Sequence, residues 1–133
     1  MPEAAKKILI VEDDQFLLEM YSAKLKGAGF QIEIAKDGEE ALDKAFEFKP
    51  DLILLDIVLP KMDGFEVLKR LKENPVLRKI RVIALTNLGQ QGEVQKGTSL
   101  GADDYFIKAH FTPSEVAYRV SNFLKNPPLD RTQ

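Results

Sequence analysis

The stretch ILLDIVLPKMDG, residues 53–64, places one acidic residue, Asp56, at the end of an otherwise apolar run. A carboxylate inside a hydrophobic core is costly to desolvate, so Asp56 either reaches a solvent-open edge or serves something charged. With Asp51 and Leu52 before it, the run reads as a strand, DLILLD (51–56), apolar at nearly every position instead of at alternate ones. Strands of this kind are buried on both faces, as in the middle of a parallel sheet covered by helices. The reading extends outward in both directions. KILIVE (7–12) and RVIALT (81–86) are also nearly all apolar, DYFIK (104–108) follows, and QIEIA (31–35) alternates as an edge strand does.

Segments of helical period separate these runs, with no repeat, low-complexity tract or Pro/Gly/Ser linker between them. The rhythm is βαβ, which predicts an α/β domain of five strands and five helices. The last helix is announced by TPSE (112–115): Thr112 as N-cap, Pro113 at the first helical position and Glu115 three residues after the cap. Val116, Val120, Phe123 and Leu124 then share one face. By contrast, QQGEVQKGTSL (90–100) offers Val94 and Leu100 as anchors and carries two glycines, so its helix is expected to be the least firmly packed and mobile.

A chain of 133 residues with 44% hydrophobic content suits one domain with a proper core, placed at residues 1–126 with 127–133 as a polar tail. Nineteen basic and 21 acidic residues leave a net charge of -2, too balanced to attract nucleic acid or a membrane surface through bulk electrostatics. The absence of cysteine excludes disulfides, thiolate zinc sites and thiol nucleophiles, and fits a reducing cytosol. The apolar runs are too short to span a bilayer, and MPEAAKK lacks the apolar core of a signal peptide. A soluble cytoplasmic protein is therefore expected.

In an open parallel sheet, ligands bind beyond the carboxyl ends of the strands. Those ends carry Glu12, Asp13 and Asp14 after the first strand, Asp56 after the third, Thr86 and Asn87 after the fourth, and Lys108 after the fifth. Asp14, just before QFLLEMY, reads as a helix cap. Glu12 and Asp13 are harder to assign that way. Two carboxylates a few ångströms apart repel by about 4 kcal/mol at an effective dielectric near 20, so placing them beside Asp56 calls for a cation. Magnesium fits, because it takes oxygen ligands from one or two carboxylates and completes its octahedron with water and phosphate oxygens. Taken singly, Thr86 is an ordinary strand-end threonine and Lys108 a solvated lysine. Converging on one sheet edge, they supply a hydroxyl and an ammonium to the carboxylates.

These residues resemble the receiver domain of two-component response regulators. The likeness rests on ILIVEDD, DLILLDIVLPKMDGFEVLKRLK, VIALT and GADDYFIK, in order and at the family's spacing over nearly the whole chain. It implies a five-stranded parallel sheet in the order 2-1-3-4-5 with helices on both faces, the CheY-like, flavodoxin-like fold. It implies Asp56 as the phosphoacceptor, Glu12 and Asp13 as the acidic pocket with Asp13 a direct magnesium ligand, and the Val58 carbonyl as a further ligand; manganese can substitute for the magnesium. It implies that Thr86 and Lys108 contact the phosphoryl group and that Tyr105 turns inward when the Thr86 loop moves. The implied donor is a sensor histidine kinase or histidine phosphotransfer protein. The implied readout is a downstream protein meeting the 90–126 face, with no direct nucleic-acid binding.

The chain departs from the family's pattern in several places. Ala109 follows Lys108 where the family typically has proline in a cis peptide, and a non-proline cis bond costs about 2.5–4 kcal/mol, which leaves the loop KAHFTP open. Asn87 is larger than the family's usual residue. Val58 and Leu88, both apolar, line positions that in the family tune loss of the phosphoryl group. Other classes fit less well. A nucleotide or flavin enzyme needs a Gly- or Ser/Thr-rich phosphate loop where this chain has VEDDQ. A haloacid dehalogenase-type phosphatase needs a second Asp where Val58 stands. A phosphorylation-independent pseudo-receiver remains the main alternative. His110, the one histidine, reads as a surface residue and not as an internal phosphodonor.

Overall fold

The computed structural model describes residues 5–87 and 91–125 of the chain. Five strands alternate with five helices: β1 (Lys7–Val11), α1 (Gln15–Gly27), β2 (Gln31–Ala35), α2 (Gly38–Phe48), β3 (Leu52–Asp56), α3 (Gly64–Glu73), β4 (Arg81–Thr86), α4 (Gln91–Ser99), β5 (Asp104–Ile107) and α5 (Pro113–Lys125). All neighbouring strands pair in parallel, in the order β2-β1-β3-β4-β5. QIEIA is an edge strand and DLILLD the central one, as their patterning requires.

The continuous apolar runs divide between two cores by strand alternation. Leu9, Val11, Ile53, Leu55, Val82 and Ala84 face one way, onto Ala41 and Ala45 of α2 and Val67, Leu68 and Leu71 of α3. Ile8, Ile10, Leu52, Leu54, Ile83 and Leu85 face the other, onto Leu18, Tyr21 and Leu25 of α1 and Val116, Ala117 and Val120 of α5. Phe123 and Leu124 pack at the margin of that second core, on the face expected for them. Each side of the sheet is therefore sealed, and polar residues can gather only where the strands end.

Side-chain caps start the helices close to those ends. Asp14 accepts from the Leu17 N–H at 3.1 Å, Asp37 from Glu40 at 2.8 Å and Asp63 from Glu66 at 3.0 Å. At α5 the capping box is reciprocal: the Glu115 N–H donates to Thr112 Oγ1 at 3.1 Å while the Thr112 N–H donates to Glu115 Oε1 at 3.0 Å.

Three expected strand ends differ by one residue. Glu12 and Lys108 lie just past β1 and β5, where the backbone has begun to turn, although the Glu12 N–H still donates to the Ala35 carbonyl at 3.0 Å. Asp51 precedes β3, and its Oδ2 accepts from the Lys7 N–H at 2.8 Å. No described peptide bond is cis, and Lys108–His110 forms a short 3-10 turn, so the chain passes Ala109 in the ordinary trans geometry. In α4 the anchoring is thin. Leu100, just after it, packs on the first core and Val94 is half-buried, but among the helix's described residues Gly97 is the one fully buried position. Leu88 and the expected tail at 127–133 lie outside the described residues.

Candidate functional site

The carboxyl ends of the three central strands and the turn after β5 converge on one cleft of about 500 Å³. It is lined by Glu12, Asp13, Asp14, Leu17, Asp56, Val58, Thr86, Asn87 and Lys108. Every pocket residue singled out in the sequence is there except Tyr105, which lies further back on β5 beside Ala84 of β4. Glu12, Asp56 and Thr86 are the buried polar residues of the described chain, whereas Asp13 is exposed at the rim. His110 is exposed in the loop.

Asp56 is held from both sides. Its Oδ1 accepts from the Val58 N–H at 3.1 Å, and its Oδ2 accepts from Lys108 Nζ at 2.9 Å. Lys108 Nζ also lies 2.7 Å from Glu12 Oε1, while Glu12 Oε2 accepts from the Asp14 N–H at 3.1 Å. The ammonium thus bridges two buried carboxylates across the sheet edge. Asp14 accordingly has a double task, capping α1 through its side chain and holding Glu12 through its backbone.

Electrostatics follow from this geometry. Burial pushes the Glu12 carboxyl up to about 7; the Lys108 contact opposes that rise and the Asp56 charge adds to it. For Lys108, burial pulls the ammonium downward, but contact with Glu12 and Asp56 outweighs it and the group is held above its ordinary value. Burial also lifts the Tyr105 phenol, with Glu93 and Asp56 contributing.

Oxygens of Glu12, Asp13 and Asp56 all lie within 4.8 Å of one another. When all three carboxyls are ionised, one ammonium leaves two negative charges over, which a divalent cation balances. Glu12 Oε1 supports this fit: it is buried, has the Lys108 ammonium 2.7 Å away, and keeps lone-pair capacity for a cation. The donor set is all oxygen and partly open to solvent, which suits magnesium or manganese rather than zinc.

Glycines that carried no assigned role prove to shape the cleft. A Cβ on Gly64 would fall 2.5 Å from the Asp56 carbonyl oxygen, so α3 can begin directly against the end of β3 because residue 64 is glycine. The loop after Asp56 is braced in turn by the start of α2. A Cβ on Gly38 would come within 2.4 Å of the Met62 carbonyl oxygen, and Lys61 Nζ pairs with Asp37 Oδ2 at 3.5 Å. Which backbone each of these glycines touches depends on tertiary packing.

Comparison with known proteins agrees with this geometry. A family model described as the response regulator receiver domain matches residues 8–120. The chain is 42% identical over 124 residues to the alkaline phosphatase synthesis transcriptional regulatory protein PhoP of Bacillus subtilis, covering 93% of this chain and 50% of that protein. It spans about half the length of the curated relatives it matches. Among solved structures, a putative response regulator from Chloroflexus aurantiacus superposes with a TM-score of 0.83 at 36% identity, covering 92% of this chain and 100% of the other. The manganese-bound form of response regulator Rcp1 gives 0.82 at 30% identity, covering 92% and 96%. A buried aspartate ending the central strand, bridged by lysine to Glu12 on a 2-1-3-4-5 sheet, thus coincides with a family match along most of the chain, and the protein belongs to the response regulator receiver domain family.

Proposed function

We propose that this receiver domain, a signalling module, accepts a phosphoryl group on Asp56 and uses it to switch a partner-binding surface. The observation that carries the reading is the placement of Asp56: buried, fixed by the Val58 N–H and Lys108, and open through the cleft to the Glu12–Asp13 pair. A carboxylate so held is a competent nucleophile with little freedom to lose on reaction. In the step proposed, an Asp56 oxygen forms a bond to phosphorus as the phosphorus–nitrogen bond of a phosphohistidine donor breaks, and the departing imidazole takes up a proton. Lys108 neutralises charge on the transferring oxygens, and Thr86, buried beside it at the end of β4, donates its hydroxyl to one of them. Glu12, Asp13, Asp56 and the Val58 carbonyl would hold magnesium, or manganese in its place. When bound, that ion supplies further positive charge to the phosphoryl oxygens. Movement of Thr86 toward the phosphoryl group then biases Tyr105 and the 90–126 face.

The donor is a sensor histidine kinase or histidine phosphotransfer protein, and the target is a protein that meets the 90–126 face in the cytoplasm. The receiver unit is taken as residues 1–126. No helix among the described residues is long and apolar enough to cross a membrane. The test is incubation with acetyl phosphate and magnesium followed by intact-protein mass spectrometry. One added phosphate on the wild type and none on Asp56→Asn is expected. Stoichiometric labelling of Asp56→Asn would overturn the assignment of the residue, and an unlabelled wild type would favour the pseudo-receiver reading.

A further inference from the structure

Gly97 stands in the thinly anchored α4, at the one buried position among that helix's described residues. Glycine inside a helix costs about 1 kcal/mol relative to alanine, so a thinly anchored α4 is further weakened by having it there. The space around it supplies a reason. A Cβ at residue 97 would fall 2.8 Å from Cε2 and 2.9 Å from Cδ2 of Tyr105, and 3.7 Å from Cε1 of Phe65. The tyrosine ring therefore occupies the slot that the missing side chain leaves in α4. Phe65 of α3 closes the side of the slot, and Lys96 Nζ, 4.5 Å from the centre of the Phe65 ring, ties α4 to α3 beside it. Tyr105 is half-buried there and packs against the first core.

We propose that Gly97 is a positioning residue for Tyr105: its bare Cα is the seat of the ring, and the side chain at 97 sets whether movement at Thr86 passes to the α4–β5–α5 face. This rests on the phosphoacceptor reading for its second half and on packing alone for its first. The clash is with a side-chain ring, not with backbone, so a methyl group at 97 displaces Tyr105 and leaves the fold intact. Helix propensity and ring packing then make opposite predictions. Gly97→Ala strengthens α4 as a helix, yet unseats Tyr105; Thr98→Ala, on the exposed side of the same turn, favours the helix without touching the ring.

The experiment uses protein labelled with ring-¹³C tyrosine, in which Tyr105 is distinguished from Tyr21 and Tyr118 by the spectrum of Tyr105→Phe. Spectra are recorded for wild type, Gly97→Ala and Thr98→Ala, at rest and with magnesium and beryllofluoride. The expected result is a displaced Tyr105 resonance in resting Gly97→Ala but not in Thr98→Ala, and loss of most of the beryllofluoride-induced Tyr105 shift in Gly97→Ala alone. Labelling of Asp56 by acetyl phosphate should be the same in all three. A Tyr105 resonance in Gly97→Ala that coincides with wild type in both states would overturn the proposal. A wild type that takes neither phosphoryl group nor beryllofluoride would overturn the phosphoacceptor reading and the transmission half with it, whereas the seat stands or falls on the resting spectra.

Discussion

Asp13 and Asp14 are adjacent in sequence and both exposed, yet they are placed for different work. Asp13 is within reach of Glu12 and Asp56 as a third oxygen donor, whereas the Asp14 carboxylate is turned to the Leu17 N–H. Asp13→Ala should therefore weaken magnesium binding strongly. Asp14→Ala should mainly lower stability by about 1 kcal/mol, the usual value of an N-cap. Titration of magnesium followed by tyrosine fluorescence, together with urea denaturation, separates the two; equal losses of metal affinity would refute the division. Val58 lines the cleft two residues beyond Asp56 and is 58% exposed at its mouth. Its apolar side chain offers no partner to a water attacking the phosphoryl group. Val58→Asn should shorten the life of the phosphorylated state by up to about tenfold, equivalent to about 1.4 kcal/mol of barrier. Decay measured by mass spectrometry in one magnesium buffer checks this, and an unchanged rate would remove Val58 from control of water access.

Among the elements, α5 carries the clearest link between charge and stability. The Thr112 N–H, first, and then the Thr112 hydroxyl hold the Glu115 carboxyl below its ordinary value. A carboxyl depressed in the folded state stabilises the fold at pH values above its unfolded pKa, and that contribution fades as pH falls through the folded one. Acidification should thus narrow the stability gap between wild type and Glu115→Gln, while Thr112→Ala should lose about 1 kcal/mol at neutral pH. Thermal unfolding across the acidic range measures both, and a gap that widens on acidification would contradict the capping box. That box was legible because it is local: four consecutive residues contain the whole interaction. The strands were legible for a related reason, since apolar runs and their polar ends record burial residue by residue. Gly38, Gly64 and Gly97 were not, because each is defined by a contact with a distant segment, Met62, Asp56 or Tyr105, that no local pattern encodes. The residues around Lys108 fell between these cases. The lysine's place at the end of β5 could be read, but the 3-10 turn that carries it past Ala109 depends on how the sheet presents that edge.

At the scale of the whole molecule, two cores seal the faces of the sheet, and chemistry is confined to its carboxyl edge. The packing is uneven. α3 buries Val67, Leu68 and Leu71 and α5 buries Val116, Ala117 and Val120, but α4 has Gly97 alone among its described residues. Its amides should exchange with solvent faster than those of α3 or α5, and hydrogen exchange read by mass spectrometry after pepsin digestion would show it; equal protection would mean that α4 is held by contacts other than burial. The strand order also has a consequence during biosynthesis. β1 leaves the ribosome first but belongs to the interior, with β2 on one flank and residues 52–55 of β3 on the other. While β3 is still being made, the row of N–H and C=O groups along Ile8–Val11 has no partner on that flank, and an open apolar edge is a template for pairing with other chains. In a nascent chain that flank stays open until the strand bearing Asp56 arrives, and the open edge then passes to β3 until β4 pairs with it. The strand that carries Asp56 is thus the one that joins the β2–β1 pair to the two strands made after it.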